Sequence, residues 1–219
     1  YDNAILSNKL ALEIFQELGD KNGMAATNSN IGLALVYKAN FIESLDYYFK
    51  SLKIAEEIGD KKRAADQLLN IANSYLQLKN VTKAFSYLDK SKKIYGDINY
   101  QPGVSNCLNI IGDVFLGNNE FDKSLECFKE ALKINEQTNV NLDLASSYVQ
   151  MGDVYHKKAL YDKSINKKSN TDSLNSLSYE YYMKGVDIAE KIQAMYTLST
   201  IYGNLGLLLI DQQENQKAE

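Results

Sequence analysis

The sequence is short of the residues that build turns, cross-links and reactive sites. A single Pro and 12 Gly in 219 residues are too few for a turn-rich sandwich or barrel, and the composition leans helical. Two cysteines, Cys107 and Cys127, cannot make a disulfide framework and suit a reducing compartment. One histidine, His156, leaves no set of histidines for a metal site or a proton relay. There is no Trp. Charge of one sign is also scarce: 24 basic against 28 acidic residues give −4 and a pI near 5.2. That balance argues against a nucleic-acid partner, which usually requires a concentrated basic face. The longest uncharged stretch, residues 192–210, has nineteen residues but carries Gln193, Thr197, Ser199, Thr200 and Asn204. No membrane span is expected there. No basic segment followed by an apolar one opens the chain, and the expected location is cytoplasmic.

What the sequence does hold is a repeat. LEIFQELGDKNGMA from Leu12 returns as LKIAEEIGDKKRAA from Leu52, forty residues on. The same step carries Asn30-Ile31-Gly32 to Asn70-Ile71-Ala72, Ile110-Ile111-Gly112 and Gln150-Met151-Gly152. It carries Phe41 to Val81, Phe121 and Tyr161, and Tyr48 to Leu88 and Phe128. Two amphipathic stretches alternate within each unit: a first of about 25–38 with Ile31, Leu35 and Val36, a second of about 41–58 with Leu45, Tyr48, Leu52 and Ala55. Asn40, Asn80 and Glu120 sit in the turn between the two stretches, and Gly59-Asp60 ends the second.

The period breaks once. Ser124-Leu125-Glu126-Cys127-Phe128 continues best at Ser178-Tyr179-Glu180-Tyr181-Tyr182, fifty-four residues on, and the polar run 166–176 accommodates most of the excess as a loop. Fifty-four beyond Met151-Gly152 lie Leu205-Gly206, so the register resumes. Tyr1-Asp2-Asn3-Ala4 matches Tyr161-Asp162-Lys163-Ser164, read as the start of a second helix. The expected organisation is one solenoid over 1–219, a piece of a longer protein. A second helix occupies 1–18, repeats follow at 25–58, 65–98 and 105–138, the enlarged repeat covers 145–192, and a further first helix covers 197–212.

At these columns the chain resembles the tetratricopeptide repeat, whose signature W-x2-L-G-x2-Y then A-x3-F spans a helix pair. Asn28-x2-Ile31-Gly32-x2-Leu35 then Ser44-x3-Tyr48 fills it first. Leu68-x2-Ile71-Ala72-x2-Tyr75 then Ala84-x3-Leu88, and Leu108-x2-Ile111-Gly112-x2-Phe115 then Ser124-x3-Phe128, follow. Tyr148-x2-Met151-Gly152-x2-Tyr155 and Tyr202-x2-Leu205-Gly206-x2-Leu209 open the last two. The forty-residue length is similar to the longer variety in spindle-orientation adaptors, kinesin light chains and bacterial signalling proteins. The resemblance implies an all-α fold, a right-handed superhelical α-solenoid of antiparallel helix pairs.

It also implies a concave groove, lined by the first helix of each pair, that takes an extended peptide or partner helix. Carried onto this sequence, the groove residues are Asn30 and Tyr37, then Asn70 and Asn73, then Asn109 and Asp113, then Gln150 and Asp153, then Asn204. Asn30, Asn70, Gln150 and Asn204, interrupted by Ile110, form a column of amides. Each offers a donor and an acceptor, so a ladder of them suits a peptide backbone of any sequence. Asp113 and Asp153, forty apart, make an acidic strip suited to a basic peptide. The columns Ser29/Leu69/Asn109 and Asn30/Asn70/Ile110 contain no cation, which excludes a clamp for an acidic C-terminus.

No phosphate-binding, dinucleotide, zincin or nucleophile-elbow motif occurs. The expectation is a binding module without catalytic activity, metal or cofactor, with a protein or peptide partner, serving as the sensing or regulatory part of a larger bacterial signalling protein. The alternatives are a self-associating structural module, through exposed repeat ends, and the non-catalytic region of a kinase, cyclase or phosphatase.

Overall fold

In the computed structural model, residues 1–138, 141–165 and 170–218 are described, with side chains as far as Gln212. The described residues form ten helices: α1 (Asp2–Leu18), α2 (Lys21–Tyr37), α3 (Phe41–Ile58), α4 (Lys61–Gln77), α5 (Val81–Asp97), α6 (Gln101–Gly117), α7 (Phe121–Thr138), α8 (Asn141–Ser164), α9 (Thr171–Lys191) and α10 (Met195–Ala218). None of them is long and apolar enough to cross a membrane. The chain divides into two compact units, Tyr1–Cys107 and Leu108–Glu219. In the first, α1 packs on α2, α2 on α3, α3 on α4 and α4 on α5. In the second, α7 packs on α8 and α8 on α9, while α10 packs on both α9 and α8. The architecture is all-α, built of antiparallel helix pairs.

The caps explain where the helices start. Asp20, Asn40, Asp60 and Asn80 each accept a hydrogen bond from the backbone N–H three residues on, satisfying a donor that the first helical turn leaves free. Asp20 and Asp60 thereby begin α2 and α4 four residues before the apolar stretches at 25 and 65. Gly19 and Gly59 close α1 and α3 in the left-handed conformation, at φ 69° and 72°. The turns between first and second helices use Ala39, Lys79 and Asn119 at φ 56–61°.

Pairs are joined by close backbone approach. A Cβ built on Gly32 would stand 2.7 Å from the Tyr48 ring, one on Gly112 2.5 Å from Phe128, and one on Gly152 2.5 Å from Tyr182. The three rings are fully buried. A buried hydroxyl adds a second link: Ser51 donates to the Ala25 carbonyl, Ser91 to Ala65, Ser124 to Gly112 and Ser178 to Gly152, at 2.8–2.9 Å.

The enlarged repeat differs from the expectation. Tyr161, Asp162, Lys163 and Ser164 lie at the end of α8 and do not start a helix. Ala159 and Asp162 there are buried, and Tyr161 packs on Phe121 at 5.5 Å. Part of the supposed loop is helical: residues 171–176 open α9, with Leu174 and Asn175 buried. Residues 166–169 lie outside the described part. Residues 171–176 read as polar because only one side of this first part of α9 packs.

The glycines separate packing from propensity. Gly112→Ala meets Phe128 and is expected to cost about 1–3 kcal/mol through overpacking. Gly206→Ala, with no atom within 4 Å of the new Cβ, is expected to gain about 0.5–1 kcal/mol from helix propensity. Urea unfolding of the two variants checks this, and equal shifts would refute it.

Candidate functional site

The first helices of the pairs carry the side chains of interest, in two groups, one in each compact unit.

In the first unit Asn30 (α2) is exposed and Asn70 (α4) half-buried, and both line one concavity of about 340 Å³ between these helices. Ser29, Asp60, Lys62, Arg63, Asp66 and Gln67 are among its other walls. Its charges are matched: Arg63 Nε lies 3.0 Å from Asp60 Oδ2, and Lys62 Nζ lies 3.2 Å from Asp66 Oδ2. Asp66 also accepts from the Tyr95 hydroxyl at 2.5 Å, bringing α5 into the network. Asn73 is half-buried one turn further along α4. Tyr37 stands apart from this group: 62% exposed, it stacks on Tyr1 with ring centroids 5.1 Å apart.

In the second unit Asp153 (α8) is the hub. Its Oδ1 accepts from the Tyr182 hydroxyl (α9) at 2.6 Å and from Asn204 Nδ2 (α10) at 2.9 Å. The structure therefore joins two expected groove residues directly, and Asn204 directs an amide proton inward to Asp153. His156, one turn on, pairs through Nε2 with Asp211 at 2.8 Å. Sequence reasoning missed Tyr182 and Asp211 as partners, because both depend on which α9 and α10 residues face α8 after the fifty-four-residue step.

Asp113 (α6) is exposed at the surface, yet surrounding protein displaces enough bulk water to raise its carboxyl to about 6. Asp153 adds to the rise, and Lys157 opposes it. Desolvation also raises Asp153, against hydrogen bonds from Tyr182 and Asn204 and the charges of Lys157 and His156. Asn109 and Gln150 are half-buried, and the side-chain oxygen of each is buried without a partner among the described residues. This face thus offers two carboxylates and two unmatched carbonyl oxygens, a surface of acceptors. No group of three or more His, Cys, Asp or Glu among the described residues could hold a metal ion.

Residues 63–137 match the family model described as tetratricopeptide repeat. Solved structures share the fold over nearly the whole chain. Aspartyl phosphate phosphatase F from Bacillus subtilis aligns at 20% identity and a TM-score of 0.79, covering 96% of this chain and 52% of that one. BtubC from P. vanneervenii aligns at 14% identity and 0.64, covering 97% and 92%. A Rap protein complexed with competence and sporulation factor aligns at 12% and 0.63, covering 96% and 59%. This chain spans about half the length of the Bacillus phosphatase. No curated protein matches the sequence.

The raised Asp113 carboxyl gives a pH signature. An unfolded Asp titrates near 3.8, so between about pH 4 and about 6 the folded chain binds the extra proton. Folding stability from this group is then greatest at the acid end, falls as pH rises through the window, and is level above it. Subtracting the pH–stability profile of Asp113→Asn from that of the native chain should reveal this slope. A flat difference from pH 4 to 7 would contradict it.

Proposed function

We propose that the chain is a protein- or peptide-binding module whose ligand lies along the first helices of the repeats. It is read as a regulatory part of a larger signalling protein and not as an enzyme, with neither nucleic acid nor cofactor as its ligand. The observation that carries the reading is the concavity between α2 and α4, which Asn30 and Asn70 line together. Side-chain amides there can give and accept hydrogen bonds along an extended backbone without demanding a sequence. In the second unit, the acceptor-rich face of Asp113, Gln150 and Asp153 suits a basic or donor-rich ligand. The solved Rap protein in complex with competence and sporulation factor supports ligand binding by a repeat stack of this fold.

The test is capture from a lysate of the source organism by the native chain and by the variant Asn30→Ala, Asn70→Ala, Asn204→Ala. A partner held by the native chain and lost by a variant with unchanged helical content is the expected outcome. Equal capture by both would remove the amides from the reading.

The edge of α1 favours a second reading, self-association. Leu6, Leu10, Ile14 and Leu18 recur every four residues and are 54–73% exposed, forming one apolar stripe. Sedimentation at several concentrations should show association that Leu10→Glu abolishes, and a monomer throughout would dispose of this alternative.

A further inference from the structure

Gln67 is the anomaly of the first unit. At forty-residue spacing its column reads Thr27, Gln67, Cys107 and Ser147. The three small members are satisfied within the fold: Thr27 donates to the Gly23 carbonyl, Cys107 to Ser91 Oγ, and Ser147 accepts from Asn135 Nδ2. Gln67 is the long member. It is 3% exposed, and its Oε1 is buried with no partner among the described residues. Yet it lines the α2–α4 concavity together with Ser29, Asn30 and Asn70. A buried acceptor without a partner destabilises a fold, and the rest of this column shows that smaller residues avoid the cost.

From this we infer that the α2–α4 concavity is a specificity pocket for a carboxamide side chain, Asn or Gln, of the bound peptide. The inference rests on the peptide-binding reading above and adds to it a residue preference at one position. A carboxamide brings an N–H to Gln67 Oε1 and a carbonyl oxygen for the amides of Asn30 and Asn70 or the hydroxyl of Ser29. Because it carries both donor and acceptor, it matches either orientation of the Gln67 amide, which an ammonium or a carboxylate does not. The two cations of the wall are held by its two anions, Arg63 by Asp60 and Lys62 by Asp66, so the pocket presents no unmatched charge to attract a charged side chain. An aliphatic side chain would fill the space and leave Oε1 desolvated.

The test is selection from a phage-displayed heptapeptide library by the full chain, followed by titration of the best peptide and of its Gln→Glu and Gln→Met (or Asn→Asp and Asn→Leu) analogues. The expected result is Asn or Gln at one fixed position, with each analogue weaker by about tenfold or more. Gln67→Met should lose that preference while melting no lower than the native chain, since it removes an unmatched acceptor at similar volume. Gln67→Glu should shift the selected residue to Lys or Arg, an outcome that a merely structural Gln67 would not give. Peptides selected without a carboxamide preference, or a preference that survives both substitutions, overturn the pocket and leave the groove reading standing. A library that yields no binder overturns both.

Discussion

The structure depends on how closely the backbones of paired helices can approach, and that distance is set by what stands opposite each buried ring. Tyr48, Phe128 and Tyr182 lie against Gly32, Gly112 and Gly152, where any Cβ would fall inside the ring's contact distance. In the second repeat the corresponding residues are Ala72 and Leu88, both fully buried: a methyl group appears where the opposing side chain is no longer aromatic. The same exchange governs contacts between successive pairs. Phe15 meets Gly23 and Tyr95 meets Gly103, whereas at the two other positions of that column Ala55 precedes Arg63 and Asn135 precedes Asp143. Volume is conserved across the contact rather than at either residue, which close packing demands.

Close approach also explains the serines. Ser51, Ser91, Ser124 and Ser178 donate to carbonyls of the neighbouring helix, and only a short side chain leaves the backbones near enough for such a bond. A helix pair tied at a glycine and at a serine is fixed in rotation as well as in distance. The face of the first helix that does not pack is then determined, and with it the direction in which Asn30, Asn70, Asp113 and Asp153 project. The polar surface is a consequence of the apolar one.

The repeat, the helix pairs and the grouping of Asn30 with Asn70 were legible from columns forty residues apart, because a solenoid imposes the same burial at the same phase. What escaped was whatever departs from the column. Residues 171–176 gave no helical signal, since the start of α9 buries one narrow side, Leu174 and the polar Asn175. Asn204 looked like a free ladder member until α10 brought it against Asp153, a contact across three helices that no spacing announces. Gln67 was visible in principle: a long amide in a column of Thr, Cys and Ser.

Buried acceptors without partners provide the remaining contrast. Asn28 Oδ1 and Asn175 Oδ1 are also unmatched, but Asn28 bonds Met24 through its amide nitrogen, and neither residue lines the α2–α4 concavity. Gln67, Asn109 and Gln150 belong to α4, α6 and α8, all first helices of their pairs. Each such oxygen costs about 1–3 kcal/mol if nothing else meets it, against a total stability of about 5–15 kcal/mol for a domain. A fold that matches Ser to carbonyl and ring to glycine so consistently elsewhere has the means to remove such a deficit by a single substitution. Of these deficits, that of Gln67 belongs to a residue that lines the α2–α4 concavity, and the proposed carboxamide ligand would supply its missing donor.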